Sequence, residues 1–268
     1  MNANGFALLA ALWLIAFVGG TVGVATATSR LGQRTTANRN LLVRGKWAAE
    51  ACLAIFEARW VSGQFTDTAT IDLGRTTTCR WRSEDPSTKL NVNRAGQATL
   101  YRMLDRIGSH PDSTRRLVDG ILSRRRIRDF TDVESLHDVP GWDPRLLAYV
   151  TVEGTGTINA SAASPIVLAS LPGMTAESVQ HVVRRRESAR RIVSLDELMG
   201  ITSPESRELL LANYGVLTTT LQFSRTMLIV TATGWVGSFG PNPHSTIELV
   251  VNARAARLAV VRRRVGWS

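Results

Sequence analysis

The residues able to do chemistry in this chain are few and scattered. The four histidines, His110, His137, His181 and His244, stand far apart and outside any H-E-x-x-H spacing. They offer neither a metal pair on one helix face nor a base beside a nucleophile, and each reads as a surface or loop residue. No G-x-S-x-G elbow and no glycine-rich loop ending in Lys-Ser/Thr is present, and the carboxylates are too dispersed for an acid–base pair to follow from spacing. The two cysteines, Cys52 and Cys79, lie outside any C-x-x-C or Cys/His cluster, so no zinc site follows from them. Cys52 sits in an apolar helical stretch, where a buried free thiol is the commoner state; an oxidising compartment would let the two pair. The expectation is a protein with no cofactor and no catalytic centre.

The elements that carry these residues differ in texture along the chain. A length of 268 residues with 44% hydrophobic content is enough for one large or two modest domains. The formal charge of +10 is uneven: residues 86–214 carry 17 basic and 15 acidic side chains, whereas residues 215–268 carry 6 and 1. From Phe6 to Ala27 runs an uncharged, mostly apolar stretch of 22 residues, long enough to cross a bilayer as a helix. The helical spacing then continues with no proline before Pro86, through Leu31, Leu41, Leu42, Trp47, Ala51, Ile55 and Phe56. One helix from about residue 6 to about residue 60 is expected, greasy all round in its first half and amphipathic in its second. Arg30, Arg34 and Arg39 follow the span and nothing basic precedes it, which by the positive-inside rule would leave the C-terminal bulk in the cytoplasm.

The middle of the chain contains a repeat. LNVNRAGQATLYRML is matched by INASAASPIVLASLPGM, and each is followed by a basic helix, SRRRIRDF or VVRRRESARRI. The register continues through Val133 with Leu195, Leu136 with Leu198, Val139 with Ile201 and Leu147 with Leu209. Asn or Ser before each apolar run reads as a helix N-cap, and Pro-Gly at 140–141 and 172–173 as a tight turn between helices. Two such units predict an all-helical domain over residues 86–214. The triple-arginine runs at 124–126, 184–186 and 262–264 read as solvated helix faces and an edge-strand guard, with an acidic partner as the functional alternative. After Gly215, VLTTTLQFS, TMLIVTATGWV, STIELVVNA and ARLAVVRRRV read as antiparallel strands, broken by GSFGPNPHS, and TIDLGRTTTCRWR supplies one more.

The repeat looks like the helix-hairpin-helix group, whose hairpin offers backbone N–H groups to a DNA phosphate. Its hairpins here, VPGWD and LPGMT, end in Asp143 and Thr175 where that group has glycine, and the charges of the segment nearly balance. Nucleic acid is therefore not the expected partner. A membrane-anchored helix-hairpin-helix DNA receptor of the competence type is the alternative, and it would leave the strand-rich tail without a role.

The order of parts, MNANG followed by Phe6, a hydrophobic span, an amphipathic helix, a paired helical insertion and a stranded tail, resembles type IV prepilins and the pseudopilins of type II secretion, and within them the K-type minor pseudopilin. The resemblance implies an α+β fold: a pilin-like long N-terminal helix on an antiparallel sheet, with an inserted helix-hairpin-helix or SAM-like domain. It implies a leader at residues 1–5, a transmembrane helix at 6–28, a pilin-like part at 29–85 completed by 215–268, and the insertion at 86–214. A prepilin peptidase would cut between Gly5 and Phe6, and the new amino terminus would be methylated. Ala10 occupies the fifth mature position, where most of the family has a glutamate that meets a neighbouring subunit's amino terminus, a pair worth making only where water is absent. A subunit with none above it needs no such carboxylate, which implies the filament tip. Ala10, Leu12 and Trp13 would lie on the assembly helix, and the partners would be I- and J-type and major pseudopilins, the peptidase and the inner-membrane platform. The resemblance also implies a periplasmic bulk, against the charge rule. Some K-type relatives bind calcium; the corresponding stretch, SRRRIRDFTDVESLHD, offers Asp129, Asp132, Glu134 and Asp138 but surrounds them with arginines, and the site is not carried over.

Overall fold

The computed structural model describes residues 3–188, 190–238, 244–253 and 258–267; for residues 3–10 and 267 it describes the backbone only. Met1, Asn2 and the centre of the GSFGPNPHS break lie outside the described residues. Helix α1 spans Ala3–Val61, 59 residues and about 90 Å at 1.5 Å per residue. A five-stranded antiparallel sheet follows in the order β1-β2-β7-β8-β9. Its strands are β1 (Thr68–Gly74), β2 (Thr77–Glu84), β7 (Met227–Val236), β8 (His244–Asn252) and β9 (Ala259–Trp267). TIDLGRTTTCRWR forms a hairpin, β1–β2, rather than one strand, because Arg75 and Thr76 take positive φ (49° and 61°) and turn the chain after Gly74. The chain divides into two compact units: residues 1–82, 231–248 and 263–268, and residues 83–230 with 249–262.

In the first unit the second half of α1 lies on the sheet. Its buried face is Gly45, Ala48, Ala49, Cys52, Leu53 and Phe56. Leu31 and Trp47, apolar residues at the same helical spacing, are exposed. The seam runs through small residues because helix and strand approach closely. A Cβ on Gly45 would meet the Gly234 carbonyl oxygen at 2.7 Å, and one on Gly234 would overlap the Gly45 carbonyl and stand 2.5 Å from Ala49 N. Beyond the seam Phe56, Trp60, Phe65 and Trp81 cluster, and the Trp81 indole donates to the Thr66 carbonyl at 3.0 Å. Cys52 and Cys79 are joined in a disulfide with Cα atoms 5.9 Å apart, fastening α1 to β2.

The second unit is built on the repeat. Its elements are β3 (Leu90–Asn91), α2 (Gln97–Arg106), α3 (Pro111–Ile127), two 3-10 turns (Glu134–Asp138 and Pro144–Ala148) and β4 (Val150–Thr151). The second copy runs β5 (Ile158–Asn159), α4 (Pro165–Ala169), α5 (Ala176–Glu187), α6 (Leu195–Ile201), α7 (Pro204–Ala212), α8 (Tyr214–Thr220) and β6 (Leu221–Gln222). Each copy is closed by a two-residue parallel clip, Leu90 beside Val150 and Ile158 beside Leu221. One hydrophobic core, including Leu100, Leu117, Leu136, Leu168, Leu198 and Leu210, runs through both copies.

Three readings of this unit change. Asn91 and Asn159 do not cap helices. Each side-chain oxygen accepts from the backbone N–H two residues on, at 2.8 and 3.0 Å, shaping the turn before the helix. VLTTTLQFS is a strand only at Leu221–Gln222: residues 216–220 lie in α8, and Thr218, Thr219 and Thr220 donate their hydroxyls to carbonyls one turn back, so helical packing overrides β-branching there. The arginine runs are not simply solvated. Arg125 donates to the Val92 and Ala95 carbonyls (3.0 and 2.7 Å), and Arg186 donates to those of Ala160 and Ala163. The same turn in each copy is thus held by an arginine from the following basic helix, and burial presses both guanidinium pKa values below the usual range. On β9, Arg262 pairs with Glu153 at 2.5 Å and Arg263 pairs with Glu50.

Candidate assembly surfaces

The residues singled out for processing and assembly lie on the first half of α1. Gly5, Phe6 and Ala10 fall within the helical backbone, while Leu12 and Trp13 are 61% and 70% exposed. From residue 11 to residue 40 every side chain is exposed. This is one helix long and apolar enough to cross a membrane, and its apolar stretch is covered by no other part of the described chain. Its threonines suit such a medium: Thr21, Thr26 and Thr28 donate to the Val18, Val22 and Val24 carbonyls at 2.9, 2.5 and 3.0 Å, so each of these three hydroxyls has an acceptor. Past the seam-facing residues, Val43, Trp47 and Val61 extend an exposed apolar face along the second half of α1, with Trp47 at 70% exposure.

The helix-hairpin-helix likeness sharpens once the copies are superposed by their elements. LPGMT links α4 to α5, whereas VPGWD links the two 3-10 turns, so the two Pro-Gly turns are not equivalent. The counterpart of LPGMT is the α2–α3 turn, where Gly108 (φ 77°) matches Gly173 (φ 78°). Both Pro-Gly turns lie close against neighbouring backbone. A Cβ at Gly173 would stand 2.7 Å from the Leu209 carbonyl, and one at Gly141 would stand 2.6 Å from that of Ser113.

A carboxylate also fills the start of α5. Glu177 accepts from Ser203 N and Oγ (2.8 and 2.5 Å) and from Ser206 Oγ (2.6 Å). These hydrogen bonds, with a smaller contribution from His181, hold its carboxyl down at about 2, against an ordinary 4.5. The depressed value means that the unfolded chain takes up this proton first as pH falls. The stabilisation is therefore complete above about pH 4.5 and is lost toward pH 2. Glu177→Gln is expected to melt earlier than the wild type at pH 7, and the gap is expected to close as pH falls through that window; thermal melts across the series check it, and a constant gap would refute it.

The other chemistry-bearing residues are used structurally. His110 caps α3, accepting from Asp112 N at 3.4 Å, and His137 stacks on Trp142. His181 lies 3.6 Å from Glu177, and His244 opens β8. Asp129 pairs with Arg94 at 3.0 Å, Asp138 lies 3.7 Å from Arg124, and Asp132 accepts from Ser135 N at 2.7 Å. Among the described residues no three His, Cys, Asp or Glu side chains are grouped as metal ligands.

No family model matches the chain, and no curated protein matches it. Among solved structures it is similar to a chain of the GspK-GspI-GspJ complex from the type 2 secretion system of enterotoxigenic Escherichia coli. The TM-score is 0.59 at 11% identity, covering 91% of this chain and 99% of that one. A likeness this distant in sequence and this complete in coverage speaks for the architecture, and it agrees with the resemblance read from the order of parts: the chain has a K-type pseudopilin fold, α+β and pilin-like.

Proposed function

We propose that this protein is a minor pseudopilin of a type II secretion system, anchored in the inner membrane and standing at the pseudopilus tip with I- and J-type partners. Its work is assembly, not catalysis. The carrying observation is the K-type fold joined to a helix whose uncharged stretch, residues 11–28, is exposed throughout, an apolar surface suited to burial in lipid or against other helices. In this reading the span holds the subunit in the bilayer and then packs beside other pseudopilin helices, with the Val43–Trp47–Val61 face continuing the contact above the membrane. Ala10 in place of a glutamate fits a subunit with no neighbour above it.

Two observations support a periplasmic bulk over the orientation implied by Arg30, Arg34 and Arg39. The Cys52–Cys79 disulfide persists only in an oxidising compartment, and the fold is that of a secretion-system subunit. Co-expression with a prepilin peptidase followed by sequencing of the mature amino terminus tests the reading. A product beginning with methylated Phe6 is expected; one that keeps Met1, or is cut near Ala27, overturns the processing claim.

A further inference from the structure

Residues 1–49 hold five basic side chains, Arg30, Arg34, Arg39, Arg44 and Lys46, and no acidic one. All five are exposed on α1. Arg44 has work within the fold, since its guanidinium donates to the Arg75 carbonyl and to Thr77 Oγ1, both at 3.1 Å. Arg30 and Arg34 have none: among the described residues neither forms a hydrogen bond or an ion pair.

Their spacing is the informative feature. Four residues apart, they stand about 6 Å apart along the helix axis and about 40° apart around it, on one face. Like charges so placed weaken a helix, and the ordinary remedy is a carboxylate one turn away. Here no carboxylate precedes Glu50, so the chain supplies no counter-ion for this pair. Depth points to one from outside. The uncharged span ends at Ala27, and Arg30 and Arg34 follow it by about 4.5 and 10.5 Å along the axis. The polar layer of a bilayer leaflet is about 5–7 Å thick. Helical side chains lean toward the helix N-terminus, which here is toward the bilayer, so both guanidinium groups reach the level of the lipid phosphates.

We propose that Arg30 and Arg34 together hold the phosphate of one anionic phospholipid. Two guanidinium forks fit the free oxygens of a phosphodiester better than point cations would. A phosphatidylglycerol headgroup brings no ammonium of its own to compete for that phosphate, whereas a zwitterionic headgroup does. The inference rests on the reading of α1 as a membrane anchor, and it holds whichever leaflet the pair faces.

The test uses the full chain reconstituted into phosphatidylcholine vesicles with a trace of spin-labelled phosphatidylglycerol or spin-labelled phosphatidylcholine. Electron paramagnetic resonance reads the fraction of each label held at the protein, and vesicle flotation reads insertion. Phosphatidylglycerol is expected to be preferred at least about threefold, because one arginine near an anionic surface is worth about fivefold and the reading averages over the whole lipid shell. The double variant Arg30→Gln/Arg34→Gln is expected to insert equally and lose most of the preference. Arg34→Gln combined with Thr35→Arg keeps the net charge but carries the second guanidinium about 100° round the helix, and it is expected to lose as much. Failure of the wild type to enter neutral vesicles would overturn the anchor reading and this proposal with it. Insertion with equal retention of the two lipids would overturn the proposal alone. So would full preference in either variant, or displacement of the lipid by inorganic phosphate beyond the effect of sodium chloride at the same ionic strength, which would assign the pair to free phosphate.

Discussion

Gly234→Ala is expected to unfold the helix-on-sheet unit. The added methyl would overlap the Gly45 carbonyl oxygen, lie 2.5 Å from Ala49 N and 2.7 Å from the Ala48 Cβ. Two of these neighbours are backbone atoms of α1, so no rotamer change relieves the clash; the whole helix would have to lift from the strand. Lifting it would disturb the burial of Ala48, Ala49, Cys52 and Phe56 together. The loss is expected to reach or exceed about 3 kcal/mol, the upper end of ordinary overpacking. Gly200→Ala in α6 is the control, because a Cβ there meets nothing within 4 Å, and it is expected to be neutral or stabilising by up to about 1 kcal/mol. Urea denaturation of both variants decides it; a Gly234→Ala midpoint equal to that of the control would mean that α1 and the sheet are not in close contact.

Replacing Cys52 and Cys79 together by serine is expected to cost about 3.5 kcal/mol by the chain-entropy estimate for a loop closed over a separation of 27 residues, which corresponds to a melting temperature lower by about 10 °C. The bond joins the part of α1 that lies on the sheet to β2, so its loss frees that helix segment from the strand hairpin. Reduction of the wild type with dithiothreitol is expected to produce the same shift, and reduction is expected to leave the double variant unchanged. A drop below about 1 kcal/mol would show that the packing of Phe56 and Trp81 holds this junction unaided. Alkylation of the chain recovered from cells gives a compartment readout: thiols blocked from reagent until reduction are expected if the bulk is periplasmic, and freely alkylated ones if it is cytoplasmic.

The packing of α1 shows how far periodicity carries. Its apolar spacing marks a helix correctly, but residues at that spacing do not share one environment: Leu31 and Trp47 are exposed while Phe56 is buried. The real seam is Gly45, Ala48, Ala49 and Cys52, since close helix–strand approach demands small side chains, and small side chains carry little hydropathy signal. Arg125 and Arg186 were hidden differently. Arginine in a run reads as solvated, and only the turn folded beneath each helix supplies the carbonyls that draw one member of each run inward.

What the sequence by itself determined is whatever rests on local pattern: the uncharged 22-residue span, the long helix beyond it, the doubled helical segment, three of the four strands read in the tail and the absence of a catalytic motif. These follow from spacing along the backbone, where a period near 3.6 or 2 marks the element whatever it later touches. Tertiary structure alone decided the pairing of Cys52 with Cys79, the glycine seam, the outward turn of Trp47 and the true equivalence of the two hairpins. Each depends on which residues distant in sequence are brought within a few ångströms, and spacing along one segment does not encode that.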